Sequence, residues 1–532
     1  MIDFRDAFNR SLQAGRNGLA NQSWQDALTA FQEAHRTDPT SAEPLFGIGN
    51  LLRALHRNDE AIEFYEQAIA RDQQHFGAHN NLADLLREKE RWRAAETHYR
   101  AALATAPHVP EIANNLAGLL LEIGEFDEAL QLSNHAIQIR PSYAKAYFNR
   151  GIAHHRLRQL QEAQADYALA IDHGLKTPEI LTNLGALATE RGDPSRAISH
   201  LTEALGMDPG HVEAEWNLAF AHLKMGQFSE GWRLYESRWR WKHFTSPPPI
   251  KGIPRWHGDE PLGGRSILIL SEQGLGDFIQ FSRYLPLVRD LGPTKILLEV
   301  PTGLQSLVAH NYPYVSLVDR QSALDQDPDF QIPLLSLPYA FNTEIQTIPA
   351  QHPALSAPAR TGSLDCVSAD RQKIGLVWAG GSRTGHHELE RINQRRNLPF
   401  SLLAPLQDVD ATFVSLQKGE PAESSIIENL KTHWARPNFL NCSPVIKDFS
   451  DTAALITQLD LIISVDTSTA HLAAAMGKPV WLLNRFVGCW RWLDGEDTSP
   501  WYPSMRIFSQ PREGDWVSVI GAVRNALQNR EW

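Results

Sequence analysis

Residues 459–483 read LDLIISVDTSTAHLAAAMGKPVWLL. The run at 461–465 is apolar without interruption, as a parallel strand covered on both faces must be. Four polar residues follow, Asp466, Thr467, Ser468 and Thr469; then come a small-residue helix over 470–476, Gly477 suited to its C-cap, and a second apolar strand over 480–483. The polar turn therefore sits where strand becomes helix. Free backbone amides and the helix dipole at such a turn attract a phosphate, and open α/β sheets bind ligands at the carboxyl ends of strands. The plainer alternative is that these four residues only cap a helix.

Working outward, the second half alternates strands and helices. A buried strand over 266–270 (SILIL) runs into 271–277 (SEQGLGD), with a helix beginning near Phe278. Further strands over 295–300, 315–318 and 330–337 complete a first doubly wound lobe, 266–360. A second lobe, 370–512, opens with KIGLVWAGG at Lys373 and continues through a strand over 412–417 and a helix over 451–458. A Pro-, Ser- and Ala-rich stretch over 353–369 separates the two. A last helix, within 513–532, is expected to pack back on the first lobe. Two such lobes facing each other make a cleft between strand ends, a natural ligand site.

The first half is periodic. Asn81, Asn115, Asn149, Asn183 and Asn217 recur every 34 residues, in phase with Ala27, Ala61, Ala95, Ala129, Ala163, Ala197 and Gly231. Phe31, Tyr65, Tyr99, Tyr167 and Tyr235 stand four residues further on, and prolines close units at Pro39, Pro107, Pro141 and Pro209. Alanine lets two helices approach, the aromatic fills the gap, and proline stops the second helix. This resembles the tetratricopeptide repeat, six to seven units of which make an α-solenoid over 1–240. Such arrays bind peptides or proteins on a concave face. The Asn column either clamps an extended peptide backbone or bonds its own inter-helix turn. A connector over 241–265 is rich in Pro and Trp; Trp232, Trp239, Trp241 and Trp256 are expected to pack the last repeat onto the downstream lobe.

Composition narrows the function classes. With 62 acidic against 50 basic residues the net charge is −12, which disfavours a nucleic-acid binder held by bulk charge. Three cysteines, Cys366, Cys442 and Cys489, lack C-x-x-C spacing and fit a reducing compartment. No secretory h-region and no apolar run of membrane-spanning length occurs, so a cytoplasmic protein with no transmembrane segment is expected.

ILILSEQGLGDFIQFSRYLPLV, then WAGG, SLQKG, DFSDTAALITQLDLIISVDTSTAHLAAAMGKPVW and WRWLDGEDTSPWYPSMRIF occur in that order. Together with the repeats they resemble bacterial proteins that carry tetratricopeptide repeats before a glycosyltransferase-B domain akin to the lipopolysaccharide heptosyltransferases, glycosyltransferase family 9. The resemblance covers essentially the whole chain. It implies an α plus α/β architecture, a tetratricopeptide α-solenoid followed by a two-lobed Rossmann-like GT-B domain.

The resemblance also implies roles. Asp277, closing the first Gly-rich loop, is the candidate general base, and Gly274 and Gly276 would let backbone approach acceptor or donor. Asp466, Thr467, Ser468, Thr469 and His471 would hold the pyrophosphate and ribose of a nucleotide sugar. Lys418 would meet the donor phosphates, with Gln417 in the same loop. The Gly- and Arg-rich stretch 380–398 adds Arg396 and His387 near donor or acceptor. Two departures stand out: Asn397 where relatives often carry Ser, and Cys489 where an acid is expected. The D-x-D matches at 325–329 and 408–410 lie in polar loops and are not read as a metal site. What the resemblance implies is thus a metal-independent, inverting glycosyltransferase without cofactor, its acceptor a protein or peptide held by the repeats. The rival is a repeat scaffold whose transferase domain no longer turns over.

Overall fold

A computed structural model describes residues 4–349, 354–359, 371–381 and 393–531. Among them, fourteen helices run from α1 (Phe4–Ala20) to α14 (Phe228–Tyr235), and within each unit successive helices pack in pairs, from α1 with the helix Trp24–Thr37 to the helix Val212–Lys224 with α14. The phase of the sequence explains the packing: Ala27, Ala61, Ala95, Ala129 and Ala163 are fully buried, and Phe31, Tyr65, Tyr99 and Tyr167 fill the space between helices. A methyl group added at Gly151 would sit 2.6 Å from the Tyr167 ring, so the aromatic needs the glycine opposite it.

The chain divides into two compact units, Met1–Leu187 and Ala188–Trp532. The division falls inside the array and not at its end near residue 240. The physical reason lies in α13 (Val212–Lys224) and α14, which bury their aromatics against the α/β part. The Trp232 ring lies 5.2 Å from Trp490, 5.8 Å from Phe281 and 6.3 Å from Trp501. Trp241 stacks on Trp216 at 5.4 Å, and Trp256 packs on Phe341 at 5.8 Å while its indole N–H donates to the Glu260 carbonyl at 2.7 Å.

The first sheet contains β1 (Ser266–Leu270), β2 (Lys295–Glu299), β3 (Val315–Val318) and β4 (Phe330–Pro333), parallel in the order β3-β2-β1-β4. The second contains β5 (Gln372–Val377), β6 (Ala411–Ser415), β7 (Phe439–Asn441), β8 (Leu461–Val465), β9 (Val480–Asn484) and β10 (Met505–Ser509), parallel in the order β10-β9-β8-β5-β6-β7. The winding direction reverses between β1 and β4 in one sheet and between β5 and β8 in the other. Ligand crevices open at the carboxyl ends of strands at such points. The Gly-rich loop after β1 and the Asp466 turn after β8 occupy those two positions.

The terminal helix corrects the expectation for 513–532. It spans Trp516–Gln528 and buries Trp516, Val519, Ile520 and Val523 in the core of the second sheet, with Ile374, Leu403 and Leu406, and does not return to the first lobe. Only residues 510–515 separate it from β10, too short a tether to leave that sheet once its apolar stripe is covered.

Candidate functional site

The loop after β1 leads into helix α15 (Leu275–Phe281), whose N-cap is Gly274 and whose third residue is Asp277. One carboxylate oxygen of Asp277 accepts the Gly274 N–H at 2.8 Å. Asp277 therefore does cap its helix. Its other oxygen accepts from the guanidinium of Arg491, from the second lobe. Arg491 also donates to Gln280 Oε1 at 2.6 Å and to Cys489 Sγ at 3.0 Å, and lies 4.3 Å from the Trp490 ring. Burial would pull Arg491 down, but the Asp277 carboxylate and then Cys489 hold it above the ordinary guanidinium value. The cysteine that stands in place of an expected acid thus still faces a cation.

Across the cleft, β8 delivers Asp466 and Thr467, and α16 (Ser468–Ala475) begins at the next residue. Thr467 is the N-cap in an extended conformation, yet its side chain makes no capping bond and meets Ser464 Oγ at 3.0 Å. The helix Phe449–Thr457 just upstream shows the other case, Asp448 accepting the amides of Ser450 at 2.8 Å and Asp451 at 3.1 Å. Capping alone does not account for the Asp466 turn, because the N-cap residue Thr467 gives the first amides of α16 no side-chain partner. Such a helix start carries partial positive charge suited to an anion.

Arg396 lies beside it, and the charge of Arg485 acts on both Asp466 and Arg396. Arg396 donates to the Asp466 carbonyl at 2.9 Å and to Asn393 Oδ1 at 2.5 Å, and Asn397 accepts the Gly380 N–H at 2.8 Å. The departure at Asn397 thereby supports the backbone beneath Arg396. Arg485 follows β9 directly. Burial pulls its guanidinium down, partly offset by Cys489 and Asp466, while the like charge of Arg396 adds to the fall. Neither Arg485 nor Arg491 stood out in the sequence. A cation immediately after an apolar strand, as in LLNRF, was the available signal for Arg485.

Three expected donor residues have partners within the protein. Gln417 is fully buried; its oxygen accepts from Trp378 N at 3.1 Å and Ala379 N at 3.0 Å, and its amide donates to the carbonyls of Ala379 at 2.9 Å and Lys418 at 2.8 Å. With every hydrogen-bonding position used, Gln417 ties the loop after β6 to the end of β5. Lys418 pairs with Glu423, five residues on, and donates to the Ser443 carbonyl at 3.3 Å. His471 is buried: Nδ1 lies 2.9 Å from Tyr502 Oη, Nε2 lies 3.8 Å from Asp466, and the ring stacks on Trp492 at 5.3 Å. The Cδ2 edge of the ring meets Gly276, where an added methyl would come within 2.9 Å of it. Gly276 thus gives the two lobes room to touch. His387 lies outside the described residues.

Burial, offset in part by Asp466, pushes His471 down to about 4, so it is neutral in the folded protein at neutral pH. A folded-state value below the unfolded one means stability is full above pH ~6.5 and is lost as pH falls toward about 4. The loss approaches ~3 kcal/mol below that range. Wild-type melting temperature is expected to fall more steeply between pH 6.5 and 4 than that of His471→Gln; parallel curves would contradict a buried neutral imidazole.

In the first unit Asn183 donates to the Glu179 carbonyl of its own helix at 2.9 Å, while other members of the Asn column bond across repeats. Asn115 Nδ2 donates to Asn80 Oδ1 at 3.1 Å and Asn149 Nδ2 to Asn114 Oδ1 at 2.9 Å, so each amide reaches back to the preceding repeat. The ladder borders a groove of about 350 Å³ lined also by Arg87, Lys145 and Phe148.

Comparison with known proteins is consistent with this division. Tetratricopeptide repeat models match residues 18–85, 76–142, 144–172 and 188–237. The model of glycosyltransferase family 9 (heptosyltransferase) matches 402–515, which includes Lys418, Asp466, Arg485 and Arg491 but not Asp277. Protein FlbA of Caulobacter vibrioides is 28% identical over 94% of this chain and 81% of its own length. Protein O-mannosyl-transferase TMTC3 of Homo sapiens is 25% identical over 39% of this chain, which spans about a quarter of that protein (24%). Among solved structures, Pseudomonas aeruginosa pilF is 20% identical with a TM-score of 0.37, over 40% of this chain and 96% of that one. YrrB, a tetratricopeptide protein, is 21% identical with a TM-score of 0.31, over 35% and 95%. Likenesses of that size say nothing of what this chain binds.

Proposed function

We propose that this chain, which joins tetratricopeptide repeats to a glycosyltransferase family 9 domain, transfers a sugar from a nucleotide-sugar donor to a hydroxyl of a protein or peptide held by the repeats. The reading is of a GT-B enzyme in the cytoplasm, inverting and without a metal step. The observation that carries it is the uncapped start of α16 beside Asp466, Arg396 and Arg485 at the reversal point of the second sheet. Oriented amides and guanidiniums stabilise charge building on a departing diphosphate. Lys418 joins them: its pairing with Glu423 is exposed, and such pairs are worth only ~0–1 kcal/mol, so a phosphate can displace the carboxylate.

In the transfer, the acceptor oxygen forms a bond to the anomeric carbon as the bond from that carbon to the phosphate oxygen breaks. The diphosphate leaves with the electron pair, and the hydroxyl proton passes to Asp277. Arg491 orients that carboxylate and leaves lone pairs for the incoming proton. The ladder groove is where an acceptor segment would lie.

The scaffold reading draws on one observation: Asp277 and Lys418 are both already ion-paired. Melting the protein with UDP, GDP, ADP and CMP and with their sugars separates the two. A bound nucleotide raises the melting temperature by mass action. A rise with one nucleotide family, reduced in Arg485→Ala, supports the donor site. No rise at millimolar concentration with any of them leaves the scaffold.

A further inference from the structure

We propose that the last hairpin of the repeat array positions the Gly-rich loop, with Arg238 as the positioning residue; this rests on reading Asp277 as the base. Arg238 lies in the short 3-10 turn Glu236–Arg240 that follows α14, and it has no exposed surface. Its guanidinium forms a two-pronged pair with Glu272, both bonds at 2.9 Å, and donates to Ser336 Oγ at 2.7 Å. The Tyr235 and Trp239 rings hold it at 4.7 and 4.5 Å. Glu272 also accepts the Leu335 N–H at 2.9 Å, so the same carboxylate ties the ends of β1 and β4 together.

The next residue is gripped from the same side. Gln273 adopts a left-handed φ of +60°, a conformation costly for a residue with a side chain. Its N–H donates to Ser246 Oγ at 2.9 Å, and its amide donates to Tyr235 Oη at 2.5 Å. Gly274 and α15 follow at once, so the placement of Asp277 is inherited from these bonds. A buried ion pair is often no more stabilising than apolar side chains of the same volume. Its two-pronged geometry fixes position, and that is the use the loop makes of it.

Two variants test this. Arg238→Lys keeps the charge and loses the fork. Tyr235→Phe removes only the hydroxyl bonded to Gln273, and decides the matter should the lysine variant not fold. The expected result is nucleoside diphosphate release slowed by up to ~10²-fold at unchanged donor KM, since small misplacements cost that much. It comes with faster amide hydrogen exchange confined to residues 271–281. Unchanged exchange there, exchange raised throughout the chain, or local loosening with unchanged turnover each overturns the proposal. Exchange needs no turnover, so an inactive wild type would sink the transferase reading alone.

Discussion

Replacing Asp277 by asparagine is expected to lower nucleoside diphosphate release and sugar transfer by about 10²–10⁴-fold, the range a positioned general base supplies. Asparagine keeps an oxygen toward Arg491, where the native carboxylate accepts the guanidinium. It removes the acceptor of the proton. The melting-temperature rise produced by the nucleotide should survive, because the α16 site lies on the other sheet and does not include Asp277. Loss of transfer with retained binding marks Asp277 as part of the chemistry. Activity within threefold of wild type would remove it from that role and leave it as the cap of α15.

The second large effect concerns Arg491. Its side chain is only 9% exposed and that of Asp277 19%. Arg491→Met leaves the Asp277 carboxylate without the guanidinium it accepts, a change worth about 3–5 kcal/mol where both groups are desolvated. The melting temperature should fall accordingly. Adding Asp277→Asn to Arg491→Met removes the uncompensated charge and should recover most of that stability without recovering activity. A double variant no more stable than Arg491→Met would show that the ion pair is not what the single substitution broke.

What was legible beforehand is what depends on local pattern. The 34-residue phase needs only a small residue and, in most units, an aromatic four positions on, and those residues are buried as the spacing implies. The loops at Asp277 and Asp466 were legible because uninterrupted apolar strands ending in Gly or hydroxyl residues mark strand-to-helix turns. What could not be read was who neutralises whom. Arg491 meets Asp277 from 214 positions away, and Arg238 meets Glu272 across the junction of repeat and sheet. Gln417 reads as a ligand residue because it follows a strand; its three bonds to the adjoining strand end cannot be foreseen from LQKG. His471 belonged to a motif associated with donor binding, yet its burial between Trp492 and Gly276 gives it a packing role. The terminal helix was misplaced because its amphipathic stripe tells that it packs, while only the short tether to β10 tells where.

The central claim is that a diphosphate rests on the start of α16 between Arg396 and Arg485. The most direct test is a crystal structure with the nucleoside diphosphate that raises the melting temperature most. The account predicts phosphate oxygens within hydrogen-bond reach of the Ser468 and Thr469 amides and of the Arg485 guanidinium, with Lys418 turned from Glu423 toward them. Diphosphate bound elsewhere, or an empty turn at saturating nucleotide, would contradict it.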